Sequence, residues 1–343
     1  MPGAASVEVF DASLADLQKN AEDGDPVAQR NLGQCYQYGT GVAVDMVKAI
    51  ELFTRSADAG CVQAMCNLAI CYANGTGIAV DKREALKWYK RSAEAGYVNG
   101  AWFTAAMYSN GAGDAVPVDK AKAFFWYKRA AEGGRADAML TISLAYKAGE
   151  ERVSVDKGEA FVWKRRAADA GDAEAQCLLG SDYKMGLNGL SVDTLEAVKW
   201  WTRAVENSVI PLNARAHYYL GNCYLAGEEG VIEIDKKKAA SLYTRAAEAG
   251  DGDSAYNLGA MHAQGAGVIK NTRKAVKWWT MAAEKGNANA AFGLGGIYMY
   301  GEGGVAADVR AAITWLKCAA DAGHPDANGP QFAQLFAAVA GHL

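Results

Sequence analysis

A tyrosine returns at an almost constant interval through this chain, and that interval limits the fold more than any other feature. Tyr36, Tyr72, Tyr108, Tyr146, Tyr183, Tyr224, His262 in one place, and Tyr298 are spaced by 36, 36, 38, 37, 41, 38 and 36 residues. Unrelated helices do not keep such a period. A unit of this length is one supersecondary motif that buries its apolar face only against copies of itself.

The stretch Gly60 to Gly96 shows what the unit is. Ala64, Leu68, Ala69 and Tyr72 fall on a 3.6-residue stripe, the mark of an amphipathic helix. Gly75 and Gly77 end it, because glycine enters left-handed backbone conformations freely. Asp81 then offers an N-cap oxygen, and Glu84 three residues on predicts a capping box. Ala85, Trp88, Tyr89, Ser92 and Ala93 form the stripe of a second helix. The second helices repeat this closely. Their caps are Asp45, Asp81, Asp119, Asp156, Asp193, Asp235, Asn271 and Asp308. Four residues later stands an alanine in every unit, and three further on Leu52, Trp88, Trp126, Trp163, Trp200, Leu242, Trp278 and Trp315. Six of nine tryptophans occupy one packing position and read as core. In the first helices Gly33, Ala69, Ala105, Ser143, Gly180, Gly221, Gly259 and Gly295 share a small position. Close helix approach explains it, and Gly221→Leu is expected to overpack the junction of units five and six.

The predicted fold is therefore all-α: an α/α solenoid, a right-handed superhelix of about eight helix-turn-helix repeats of 36–38 residues with terminal cap helices. Residues 1–24 form an N-terminal half-repeat, with Asp11 as cap and Leu14, Leu17 and Ala21 as its stripe. Repeats one to five fill 25–206 and repeats six to eight 214–323. Between them, at 207–213, Asn207 to Leu212 replaces the usual Ala-Gly junction. Pro211 breaks the helix there, so a hinge in amide exchange is expected at this point. Residues 324–343 hold a C-terminal cap helix over Gln331 to Ala340. The Gly-x-Gly turns lack the strand and the Gly-Lys-Ser/Thr ending of a phosphate cradle.

The formal net charge of -4 argues against nucleic acid as the main partner. No run of 18 apolar residues predicts a membrane span, and the first residues lack the pattern of a secretory signal. Seven cysteines without a Cys-x-x-Cys pair, several at equivalent helical positions, read as packing residues in a reducing cytoplasm. No metal or cofactor set is apparent. The histidines His217, His262, His324 and His342 join no Ser/His/Asp order or nucleophile elbow.

On a helical wheel the face opposite the Ala28/Leu32/Tyr36 stripe holds Val27, Gln34 and Tyr38, flanked by Arg30 and Asn31. Related positions in later units give Asn74, Trp102, Asn110, Leu140, Ser181, Tyr218, Asn222, Tyr256, Gln264, Phe292 and Tyr300. In stacked hairpins such a face lines the concave wall. Amides there pair with the backbone of an extended peptide, and aromatics supply anchors. Trp102, Tyr218, Tyr256 and Phe292 share one position and have a second reading, as packing between units.

The unit A-x-x-x-L-G-x-x-Y-x-x-G-x-G-V-x-x-D-x-x-K-A-x-x-W-Y-x-K-A-A resembles the Sel-1-like repeat, a relative of the tetratricopeptide repeat. Ala28 to Tyr36 and Glu84 to Ala93 carry the match. The resemblance implies a superhelix that scaffolds protein complexes, as in ER-degradation adaptors and bacterial signalling or host-interaction proteins. The expected function is thus a non-enzymatic, monomeric adaptor whose concave groove binds a protein or peptide partner, as an extended peptide or as a partner's helix. A hydrolase or small-molecule binder is the alternative, since some cysteine-rich bacterial members are reported to act on β-lactams and carry a disulfide in each repeat. Here Cys318 meets Pro325 at the matching place and Cys61 meets Ser56 or Ala57. A third reading is an element that assembles through its ends.

Overall fold

The computed structural model describes residues 14–149, 153–207, 213–227 and 230–329. The expected cap at Asp11, the break at Pro211 and the helix over Gln331 to Ala340 lie outside the described residues. Seventeen α-helices are present among those described, and from the second onward each is 13 residues long. The chain forms two compact units, Met1–Ala170 and Gly171–Leu343. The expected irregular junction at 207–213 falls inside the second.

In unit 1, α1 (Leu14–Glu22) precedes four hairpins: α2 (Pro26–Tyr38) with α3 (Met46–Asp58), α4 (Val62–Asn74) with α5 (Lys82–Glu94), α6 (Val98–Asn110) with α7 (Lys120–Glu132), and α8 (Ala136–Ala148) with α9 (Lys157–Asp169). Unit 2 holds α10 (Ala173–Met185) with α11 (Thr194–Glu206), α12 (Ala214–Ala226) with α13 (Lys236–Glu248), α14 (Gly252–Gln264) with α15 (Thr272–Glu284), and α16 (Ala288–Tyr300) with α17 (Val309–Asp321). Within each unit a first helix packs on its own second helix, and that second helix on the next first helix. No helix among the described residues is long and apolar enough to cross a membrane.

Each hairpin is closed by the same three devices. The cap side chain before every second helix accepts a backbone N–H of its first turn, as the sequence predicts. Its own N–H donates to the carbonyl of the tyrosine-position residue, from Asp45 to Tyr36 through Asp308 to Tyr298, at 2.7–2.9 Å. This bond ties the end of one helix to the start of the next and leaves the capping box at Asp81 half formed. Asp81 N–H is already used by Tyr72, so the Glu84 carboxylate pairs instead with Lys87. The third device is the buried alanine of each second helix, from Ala49 to Ala312, small enough to let the neighbouring helix approach closely.

The small position of the first helices faces the eighth residue of the second helix in the same hairpin. A Cβ on Gly33, Gly180, Gly221 or Gly295 would lie 2.6–2.7 Å from Phe53, Trp201, Tyr243 or Leu316. Gly221 therefore does not serve the contact between units five and six, as the sequence suggested. It makes room for Tyr243 within its own hairpin. The wheel identifies a close contact but not which neighbour fills it.

The tryptophans of the second helices are core for most of their area, with Trp126, Trp163, Trp200 and Trp278 buried. Several of them carry an arginine three residues on over the ring: Arg91 lies 5.1 Å from Trp88, Arg166 4.8 Å from Trp163 and Arg203 4.8 Å from Trp200. Arginine over indole covers apolar area while its charge stays hydrated.

Candidate partner-binding face

The sequence-predicted residues divide into three environments. Tyr38, Asn74, Asn110, Gln264 and Tyr300 are exposed at the last position of their first helices, beside the turns. Tyr38 and Tyr300 are 66% and 84% exposed, so neither ring is needed for packing. Gln34 and Ser181 are half-buried along the helix, and the Ser181 hydroxyl donates to the Cys177 carbonyl.

Trp102, Tyr218 and Tyr256 are half-buried and pack against other rings. Trp102 meets Phe103 edge-on at 5.1 Å, and the Arg135 guanidinium lies 4.5 Å above its ring. Arg135 is itself fixed by both oxygens of Asp137, at 2.7 and 2.8 Å, and by Asn99 at 2.5 Å. Tyr218 packs on Tyr219 and Tyr243, Tyr256 stacks on Trp279 at 6.5 Å, and Phe292 stacks on His324 at 4.1 Å. These rings are partly exposed and held by their ring contacts.

Unit 2 brings Tyr218, Asn222 and Tyr256 together around one cluster. The Tyr243 hydroxyl donates to Asn222 Oδ1 at 2.6 Å, and Asn257 Nδ2 reaches the same oxygen at 3.5 Å. Burial raises the Tyr243 phenol well above its ordinary value, so the hydroxyl stays protonated and donating. Asn222 is thus held by its oxygen.

In unit 1, Gln34 and Asn67 occupy the register positions of Asn222 and Asn257. Phe53 stands where Tyr243 does and carries no hydroxyl. Asn67 Nδ2 is buried there without a hydrogen-bond partner among the described residues. Sequence reading missed Asn67, Asn257, Phe103 and Tyr219, all at the sixth position of their helices. The available signal was the aromatic at the eighth position of the preceding second helix. Tyr89 stacks on Phe103 at 4.9 Å, and Trp201 on Tyr219 at 5.1 Å.

Five of the cysteines are buried packing residues, while Cys61 is half-buried and Cys318 exposed. All seven cysteines are free thiols. Burial pushes Cys66 and Cys71 up to about 11 and Cys177 to about 12, far from reactive thiolates. No cluster able to hold a metal ion exists among the described residues.

His217 is fully buried, its Nδ1 2.9 Å from the Asn213 carbonyl and its Nε2 without a partner among the described residues. Burial lowers its proton affinity below the ordinary 6.5, against the bond to Asn213 and with the charge of Arg245. The unfolded chain therefore binds this proton more readily, so stability is lost as pH falls through 6.5. Gln29 and Gln176 hold the equivalent position in other repeats. His217→Gln should lose less stability than the parent between neutral and mildly acidic pH in urea titrations. Equal losses would show that His217 does not carry this dependence.

Eight consecutive segments match the Sel1 repeat: 26–61, 62–97, 98–134, 136–172, 173–209, 214–251, 252–287 and 288–324. The chain belongs to the Sel1 repeat family. No curated protein matches it. Among solved structures it is similar to c5321, described as a protective antigen of uropathogenic Escherichia coli with an SLR fold. The identity is 28% and the TM-score 0.82, over 97% of this chain and 68% of that one. It is also similar to a Sel1 repeat protein from Oxalobacter formigenes, at 30% identity and TM-score 0.65, over 96% of this chain and 92% of that one. The fold is accordingly that of an all-helical repeat protein built from paired helices.

Proposed function

We propose that the protein is a non-enzymatic interaction scaffold that binds an extended segment of a partner protein along its first-helix face. Sel1 repeats typically scaffold protein interactions, and the residues of this face suit that task. The observation that carries the reading is the pair of matched amide positions, Asn222–Asn257 in unit 2 and Gln34–Asn67 in unit 1. In unit 2 a tyrosine orients the amide, and in unit 1 a buried amide donor lacks an internal acceptor among the described residues. Amides offer a donor and an acceptor side by side, as a peptide backbone requires. The half-buried aromatics beside them add apolar area at little entropic cost. A small-molecule hydrolase would need converging nucleophile, base and oxyanion donors, and no observation favours such a set here.

The test is amide exchange of the complex with a partner captured from the native cell. Added protection should fall on α2, α4 and α6 in unit 1 and on α12 and α14 in unit 2. Protection confined to the second helices would contradict the reading.

A further inference from the structure

Lysines at the turn-side ends of the second helices are balanced differently from repeat to repeat. In unit 1, Lys48 pairs with its cap Asp45 at 3.6 Å, Lys122 with Asp119 at 2.9 Å, and Lys87 with Glu84 at 2.8 Å. In unit 2, α13 opens Lys236-Lys237-Lys238, and α15 is preceded by Lys270 and carries Arg273, Lys274 and Lys277. All seven side chains are exposed, and none forms an ion pair among the described residues. The reasons are local. Asn271 caps α15 where the other second helices have Asp, so Lys274 has no cap carboxylate to meet. Lys238 leaves Asp235 and instead lies 4.1 Å over the Tyr224 ring, its ammonium 2.6 Å from the hydroxyl.

These residues form one surface. Gly267, in the turn before α15, sits so close on the backbone of Lys236 that a Cβ would lie 2.5 Å from it. The first turn of α13 therefore adjoins the segment leading into α15. Arg273 donates on to the Gly304 carbonyl of the following turn, at 3.1 Å. The positive ends of both helix dipoles point to this edge, where a cation is disfavoured and an anion favoured. Cations are concentrated where the backbone field opposes them. Lys238, Arg273 and Lys277, which lies 5.2 Å from the Trp278 ring, have partners within the fold. Lys236, Lys237, Lys270 and Lys274 have no such use for their charge among the described residues.

We propose that this edge of repeats six and seven is a second docking surface, separate from the first-helix face, for a short acidic segment of a partner polypeptide. Charge complementarity selects the occupant. Glu233 on one side and Glu302 and Asp308 on the other bound the surface to about two repeats, while Glu228 and Glu229 lie outside the described residues. The chain's net charge of -4 repels a long polyanion. No exposed aromatic ring stands among the seven cations to stack a base. A run of Asp and Glu spanning one hairpin to the next meets the surface without these penalties.

The test is fluorescence anisotropy with a labelled decaglutamate peptide and the full chain, at low and at moderate salt. Binding should be measurable at low salt and weaken steeply as salt rises. Lys236→Glu/Lys237→Glu/Lys274→Glu should lose at least about tenfold in affinity. Lys48→Glu/Lys87→Glu/Lys122→Glu, which changes net charge by the same amount on paired residues, should change it little. The corresponding glutamine variants give the same comparison should charge reversal impair folding, as judged by circular dichroism. The proposal is overturned by absence of salt-sensitive peptide binding or by equal losses in the two sets of variants. Tighter binding to single-stranded RNA or to anionic vesicles at the same salt would also overturn it.

Discussion

Replacing Gly259 with leucine should lower stability by about 3 kcal/mol or more, at the upper end of what overpacking usually costs. A Cβ at Gly259 would collide with the Trp279 indole, more closely than at any sister position of this register. The ring cannot swing clear, because its Nε1–H donates to the Tyr256 carbonyl at 3.1 Å and its face stacks on Tyr256. The helical preference of leucine over glycine returns about 0.5–1 kcal/mol and does not offset the clash. Gly296 is the internal control. It lies mid-helix in α16, one residue after the packed Gly295, with nothing within 4 Å of the place a Cβ would take. Gly296→Ala should therefore raise stability slightly, by up to about 1 kcal/mol. Denaturant titration of both variants checks the pair. An unchanged midpoint for Gly259→Leu would mean that the glycine register does not set the closeness of the two helices.

Much of this architecture is readable in the chain because each repeat solves the same problem with the same residues. The interval between tyrosines, the cap Asp and the recurring alanine of the second helix each mark a position that three-dimensional packing then uses. Other features depend on which neighbour fills a gap, and a helical wheel cannot show that. Gly221 reads as a tight contact, yet only the structure assigns Tyr243 as its partner and places that contact inside the hairpin. Asn222 lies on the outward side of its wheel, but the Tyr243 hydroxyl reaches it from the second helix and occupies its oxygen. The same limit hides the unpartnered Asn67, whose difference from Asn257 comes from Phe53, 14 residues away in sequence. The tyrosine carbonyl bond to the cap N–H is invisible for a simpler reason: it is made entirely by backbone.

The scaffold reading predicts a large loss of affinity from a small change of surface. Gln34, Asn74 and Asn110 lie on the first helices of unit 1, half-buried or exposed, and none of their side chains makes a hydrogen bond among the described residues. Asn222 is unsuitable for the same experiment, since its removal would strand the Tyr243 hydroxyl and confuse binding with stability. Each amide bond to an uncharged backbone contributes about 0.5–1.5 kcal/mol net. Losing three of them corresponds to about tenfold to somewhat over a thousandfold in the dissociation constant. Titration calorimetry of Gln34→Ala/Asn74→Ala/Asn110→Ala against the captured partner, with circular dichroism of the same sample, tests the central claim most directly. A loss of that size with helical content unchanged is the predicted result; full affinity in the folded variant would contradict it.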